Sequence, residues 1–259
     1  EIISEDIFQN KFPKTYDYIL TKKDKLLKRK DSRKTFESKK NWFGLTRFGK
    51  LNIFKNLKIV TPGEVKQNKF TIDKDSGFLN ARVFCVNITD SQYNLYYVLG
   101  MLNSKVVQFY LHKTAPLKQG GYYSYATKFL NNVPIPLLND DSQKQVIERV
   151  QEIISLKENI KNKKDEFLDL LKSNSNLKIN KKLSKFFELE FEALIKEFMK
   201  QKYKPSLEKQ MEWRQIFSNL KKYIQLDNEK IIQIENEIED LSYKYYDISS
   251  DEKLTLIEN

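Results

Sequence analysis

At 259 residues the chain can hold one large domain or two modest ones, and its 40% hydrophobic content excludes wholesale disorder. The net charge of +11 predicts attraction to polyanions, and the single cysteine, Cys85, excludes an internal disulfide. No apolar run reaches the roughly 18 residues of a membrane span and no secretory signature is present, so a soluble, cytoplasmic protein without membrane contact is expected.

In chain order, residues 14–30 (KTYDYILTKKDKLLKRK) read as a very basic helix. LKIVTP (57–62), KFTID (69–73) and RVFCVNI (82–88) are short β-rich runs between Gly, Asn, Asp and Ser, and read as strands. Gly77 suggests a hairpin turn. Residues 93–112 repeat apolar groups at helical spacing, through Leu95, Val98, Leu99, Leu102, Val106, Phe109 and Tyr110. Gly120–Gly121 and a tyrosine cluster follow, and Val133 and Ile135 alternate with prolines, which suits a short edge segment or an extended exit. Asp140–Asp141–Ser142 caps a long helix whose stripe runs from Val146 to Leu171. Residues 172–182 break it, and an aromatic-rich helix is expected over about 183–200. Pro205–Ser206 opens another, where Phe217, Leu220, Ile224, Ile231, Ile234, Ile238, Leu241 and Tyr245 form a coiled-coil seam broken only at Asp227. The two long stripes predict an antiparallel helical pair.

The charge is one-sided. Residues 1–139 hold 24 Lys+Arg against 11 Asp+Glu, a net of +13, and residues 140–259 hold 22 against 24, a net of −2. All seven glycines and five of the six prolines also precede residue 140. An α+β fold is expected: a small basic α/β domain over 1–139, followed by an all-helical antiparallel coiled-coil or bundle over 140–259. Because the chain starts at Glu1 rather than methionine, a fragment of a larger protein is expected.

Few residues carry catalytic chemistry. Gly120–Gly121 lacks the lysine and spacing of a phosphate-binding loop. One histidine, His112, and one cysteine make a zinc site untenable, and His112 reads as a helix-end residue. The carboxylates of the second half lie three or four residues from lysines and read as a solvated face. What remains is a basic half with interleaved aromatics, where Lys and Arg neutralise phosphates and aromatic rings stack on sugars or bases. The tyrosines of 122–125 fit either that use or the core.

LGMLNSKVVQFYLHKTAPLKQGGYYSYATKFLNNVPIP (99–136) resembles the signature of the TaqI-like C-terminal specificity domain. This is the target recognition domain of adenine-specific DNA methyltransferases and of fused type IIG restriction–modification enzymes. The matching features are Leu102–Asn103–Ser104, the pair Phe109–Tyr110, the Gly-Gly-Tyr-Tyr turn and the Leu130-to-Pro136 exit. WFGLTR (42–47), NLKIVTPGEVKQNKFTID (56–73) and EKQMEWRQIFSNLKKYI (208–224) are similar to further family segments. Near the end, Asp247 stands where such proteins carry glycine.

The resemblance implies a module that reads double-stranded DNA, with Gly120 and Gly121 as the structural turn. Lys118, Gln119, Tyr122, Tyr123, Tyr125 and Lys128 would reach a groove. Arg33, Lys39, Lys40, Arg47, Lys50 and Arg82 would mostly hold phosphates. The chain has no Asn/Asp-Pro-Pro-Tyr motif, no glycine-rich methyl-donor loop and no nuclease signature. No catalysis, metal or cofactor is therefore expected of it. S-adenosylmethionine, and Mg if a nuclease is present, belong to a parent protein whose methyltransferase is a domain of the same polypeptide or a separate subunit. Two other readings are open: a type I specificity-subunit fragment, and a coiled-coil interaction protein whose basic face binds RNA or anionic lipid.

Overall fold

The computed structural model describes residues 3–31, 34–35, 42–44, 53, 55–74, 82–175 and 177–258. They fall into two compact units, 1–55 and 56–259. The turn expected at Gly77 lies outside the described residues.

In the first unit, α1 (Glu5–Lys11), α2 (Pro13–Leu20) and α3 (Lys23–Leu27) precede a short antiparallel pair, β1 (Lys30–Asp31) and β2 (Lys34–Thr35). The helix expected over 14–30 is thus two helices, closed at Thr21–Lys22 where the Lys22 N–H turns back to the Ile19 carbonyl. Pro13 opens α2 at a position where its missing N–H costs nothing. Phe8, Tyr16 and Trp42 form the buried centre. The Glu5 carboxylate accepts from the Tyr16 hydroxyl and the Trp42 indole, each at 2.9 Å. The indole bond above all holds that carboxyl below its usual range. Arg29 donates to the carbonyls of Trp42 and Gly44 at 2.6 and 2.9 Å, so part of the basic run serves the fold.

The second unit is built around β3 (Lys58–Pro62), which pairs antiparallel with β5 (Thr71–Asp73) and β6 (Val83–Val86). Lys58, fully buried, lies opposite Asp73 in register and meets its carboxylate at 2.6 Å. The chain then changes sheet at Gly63. Its N–H donates to the Arg82 carbonyl at 2.7 Å, and its own carbonyl accepts from the Tyr125 N–H at 2.8 Å. A side chain here would meet the Phe84 ring at 2.9 Å. The next strand, β4 (Glu64–Val65), belongs to a second antiparallel sheet completed by β7 (Leu117–Lys118) and β8 (Tyr122–Ser124), in the order β4-β8-β7.

The helix expected over 93–112 is two, α4 (Leu95–Leu102) and α5 (Lys105–Thr114). The break falls inside the Leu-Asn-Ser triplet and has a polar cause. The Asn103 side chain accepts from the Phe70 N–H at 3.0 Å and donates to the Phe70 carbonyl at 3.1 Å, pinning the loop before β5. Ser104 caps α5, accepting from the Val107 N–H. Glu239 supports that cap by accepting from the Lys105 N–H at 2.9 Å. Burial pushes its carboxyl above the usual range. It is one departure from the expected solvated face of carboxylates.

A short helix, α6 (Thr127–Leu130), follows β8. The segment after it forms no strand. Its prolines have no N–H to donate, and its carbonyls are taken by tyrosine hydroxyls instead. Tyr110 donates to Asn132, Tyr246 to Pro134, Tyr93 to Ile135 and Tyr97 to Pro136, at 2.8, 2.7, 3.2 and 2.8 Å.

Two long helices, α7 (Asp140–Ser175) and α9 (Leu207–Tyr245), run antiparallel as expected. Tyr245 reaches the Ser142 carbonyl, Arg149 pairs with Glu237 and Phe167 packs edge-on to Trp213. Between them the helix expected over 183–200 is a 3-10 turn (Leu183–Glu188) and then α8 (Phe191–Lys200). One apolar core runs from Ile59, Val65 and Tyr125 through α4 to Val146, Val150, Ile234 and Ile238. A second gathers Phe167, Phe186, Leu194, Phe198 and Trp213.

After Tyr246 the chain turns into α10 (Ser250–Glu258). Asp247 adopts φ +54°, with the Ile248 N–H on the Tyr243 carbonyl at 2.9 Å and the Asp247 N–H on the Lys244 carbonyl at 3.3 Å. This left-handed helix stop suits glycine better than aspartate.

Asp247→Gly is expected to raise stability by about 0.5–1 kcal/mol, read as a higher urea midpoint at unchanged slope. Tyr97→Phe is expected to lower it by about 1–3 kcal/mol, because the Pro136 carbonyl loses its donor in a buried setting.

Candidate nucleic-acid interface

The Gly-Gly pair closes a hairpin. Lys118 lies opposite Tyr122 and Leu117 opposite Tyr123, leaving Gln119, Gly120 and Gly121 as the loop. Both glycines have positive φ, +80° and +76°. A Cβ at Gly121 would meet nothing within 4 Å, so glycine is required there by backbone conformation and not by crowding.

Strand alternation then sorts the tyrosines. Lys118 and Tyr122 share the outer face, and both are exposed. Lys66, one residue past β4, extends its ammonium over the Tyr122 ring, 5.2 Å from the centroid. Glu64 lies opposite Ser124 on the same face, the one acid among these groups. Tyr123 belongs to the inner face with Val65 and stacks flat on His112, with ring centroids 3.8 Å apart. Tyr125 is fully buried, stacked on Phe70, and its hydroxyl donates to Asn68 Oδ1. In this arrangement its side chain presents no atom to solvent, and burial pushes its phenol well above the usual range. Asn68 in turn donates to the Leu102 carbonyl at 2.7 Å, so Tyr125 braces the hairpin against the α4–α5 break.

Of the other expected positions, Gln119 is exposed in the loop, and Lys128 is exposed on α6 with its ammonium 4.6 Å from the Phe129 centroid. Arg82 is exposed just before β6, and its carbonyl holds Gly63. Arg33, Lys39, Lys40, Arg47 and Lys50 lie outside the described residues. Lys66 was missed by the sequence reading. Its signal was the alternation Glu64-Val65-Lys66, one residue short of a recognisable strand. Among the described residues no group of His, Cys, Asp or Glu is placed to hold a metal ion, and no helix is long and apolar enough to cross a membrane.

The outer sheet face, the glycine turn and the Leu-Asn-Ser break coincide with a family model, the TaqI-like C-terminal specificity domain, matched over residues 5–135. The chain belongs to this family. A second model, a domain of unknown function (DUF8810), matches residues 139–241 of this specificity-domain protein. The chain is similar to the type II methyltransferase M.MjaIV of Methanocaldococcus jannaschii, 28% identical over 168 residues, covering 62% of this chain and 53% of that protein. It is also similar to the type II restriction enzyme and methyltransferase RM.Eco57I of Escherichia coli, 24% identical over 173 residues, 63% of this chain and 17% of that protein. The matches thus span about half and about a sixth of these relatives.

Gly121→Ala is expected to cost about 1–2 kcal/mol by forcing an L-residue to positive φ, with no clash to relieve. A thermal melt measures the loss, and Gly121→Asn, which tolerates that region, should recover part of it.

Proposed function

We propose that this specificity domain reads double-stranded DNA for a restriction–modification enzyme, and that the outer face of the hairpin sheet is its reading surface. The observation that carries this is the pairing of Lys118 with Tyr122 beside the Gln119 loop, on a face that also carries Lys66, in a chain whose first 139 residues hold a net charge of +13. Lysine ammoniums there meet phosphates, Gln119 offers the donor and acceptor that match an adenine edge, and Tyr122 offers a flat ring. Arg82, Lys128, Arg33, Lys39, Lys40, Arg47 and Lys50 extend the phosphate contacts in this reading. Tyr123 and Tyr125 act from behind, holding the hairpin in place.

In the same reading, residues 1–139 perform recognition and residues 140–259 form the base that sets it against an adenine methyltransferase, in the same polypeptide or in a separate subunit, in the cytoplasm. The names of the two relatives support this partnership. S-adenosylmethionine, and Mg for any nuclease, would be used there. The sequence of this chain supplies neither the donor loop nor the adenine-holding motif, so we assign it no catalytic step.

Selection of the chain against a random duplex pool at two salt concentrations tests the reading. An enriched motif surviving the higher salt is expected. Lys118→Ala and Lys66→Ala should each weaken all sequences alike and lower the salt slope by about one. Gln119→Ala should relax preference at one position, by about 1–3 kcal/mol. Failure to bind duplex at either salt would overturn the proposal.

A further inference from the structure

The charge of the helical half is uneven. Residues 172–204, from the last turn of α7 to the approach to α9, hold nine lysines and four glutamates, a net of +5. The rest of 140–259 holds 13 Lys+Arg against 20 Asp+Glu, a net of −7. The end of the helical pair is therefore a basic patch on an otherwise acidic half, and like charges gathered this way repel one another.

Hydrogen bonds draw the lysines onto one surface. Gln201 brackets the Lys178 backbone, accepting from its N–H at 2.9 Å and donating to its carbonyl at 3.0 Å. That fixes Lys178 beside the end of α8, where Lys200 and Lys202 stand. The buried Glu197 carboxylate lies 2.7 Å from the Lys200 ammonium and 3.6 Å from that of Lys182. An open groove of about 520 Å³ is lined by Lys182, Lys196 and Lys200 together with Ala193, Glu197 and Met199.

The lysines outnumber their partners. Glu188 pairs with Lys185, Glu190 with Lys221, Glu192 with Arg214, and Glu197 with Lys182 and Lys200, so each acid of the segment is engaged. Lys178, Lys181, Lys196, Lys202 and Lys204 are exposed, and none forms an ion pair among the described residues. Glu192, one turn before Lys196, already holds Arg214. Lys202 also ends α8 at φ +64°, a left-handed position where glycine or asparagine costs less. A lysine kept in that conformation is an outlier that points to a use for its charge.

We propose that this basic end is a second nucleic-acid contact, whose groove holds the phosphate backbone of a duplex beyond the sequence that the hairpin reads. The composition favours phosphate over a lipid surface. Met199 is the one exposed large hydrophobic among the described residues of the segment, whereas a membrane-surface helix needs an apolar face. The spacing fits as well. From Val150, which faces Gly100 of α4, to Ser175, α7 rises about 37 Å at roughly 1.5 Å per residue, close to one DNA turn of about 34–36 Å. The anion surface stands on the lysines themselves. That its duplex is the one read by the hairpin rests on the function proposed above.

The full chain would be compared with a triple variant, Lys178→Gln, Lys196→Gln and Lys202→Asn. Only lysines outside ion pairs change, and asparagine suits the left-handed φ. Affinity for a duplex of about three turns is measured across salt concentrations. The slope of log affinity on log salt is expected to fall by about two to three, with the selected motif unchanged. Lys178→Arg with Lys196→Arg should keep the slope. Should the urea midpoint of the triple variant fall, Lys178→Gln alone replaces it, with an expected loss of about one. On a duplex of about one turn centred on the motif the triple variant should match the parent, and equal loss there overturns a contact beyond the read site. An unchanged slope on the long duplex overturns the proposal, whether or not Lys118→Ala and Lys66→Ala lower theirs. A slope lowered by the triple variant and by neither hairpin variant keeps this contact and sinks the hairpin reading. Loss of binding to phosphatidylserine vesicles with the duplex slope intact gives the surface to lipid and overturns the proposal.

Discussion

The segment from Asn132 to Pro136 holds this fold together through hydrogen bonds it does not make for itself. Prolines at 134 and 136 remove two donors, and among the described residues no strand pairs along it. Its carbonyls remain, and an unmet buried carbonyl costs about 1–3 kcal/mol. Four tyrosines meet them, and they come from different places: Tyr93 and Tyr97 at the start of α4, Tyr110 on α5 and Tyr246 beyond α9. A stretch lacking its own secondary structure therefore becomes the junction between the sheet region and the helical pair. Burial pushes the phenols of Tyr97 and Tyr246 far above their ordinary range, so both remain donors at any physiological pH.

That junction explains how a hairpin only a few residues long can be rigid. An isolated hairpin of this size is marginal in water. Here β8 is tied on three sides. Tyr125 stacks on Phe70 and bonds Asn68, Tyr123 stacks on His112, and the Tyr125 N–H holds the Gly63 carbonyl. Behind these ties, α4 packs on α7 and α9 in one apolar core. The ion pairs along the helical pair, such as Lys157–Glu235 and Lys230–Glu152, are exposed and contribute little beside that seam. Lys58 and Asp73 differ, because the Lys58 side chain is fully buried and meets the Asp73 carboxylate at 2.6 Å away from solvent.

Periodicity made the helical half readable, because a seam such as Ile231, Ile234 and Ile238 admits one backbone geometry. The same criterion misread 93–112 as one helix. Apolar spacing continues across Asn103 and Ser104, whereas the break depends on Asn103 finding the Phe70 backbone, a partner 33 residues away. The alternation of Val133 and Ile135 left an edge segment and an extended exit both open, because the tyrosines that take its carbonyls come from distant segments. The glycine pair was legible as a turn. Which tyrosine faced outward was not, because that depends on strand register, and register is fixed by the Lys118–Tyr122 pairing.

Net charge overstates how many cations are available to a polyanion. Arg29 is engaged with main-chain carbonyls and Lys58 is buried on Asp73, yet both count toward the positive first half. Several of the others rest on rings: Lys23 over Trp42, Lys66 over Tyr122, Lys113 over Phe109 and Lys128 over Phe129. A lysine laid on a ring keeps its charge and loses rotamer freedom before any ligand arrives, which lowers the entropy cost of a later contact. The interleaving of lysines with aromatics therefore has a physical use apart from stacking on bases: it fixes where the ammoniums stand. On the hairpin face this places the Lys66 charge over Tyr122, directly across the strand pair from Lys118, where spacing is set by backbone register and not by two flexible side chains.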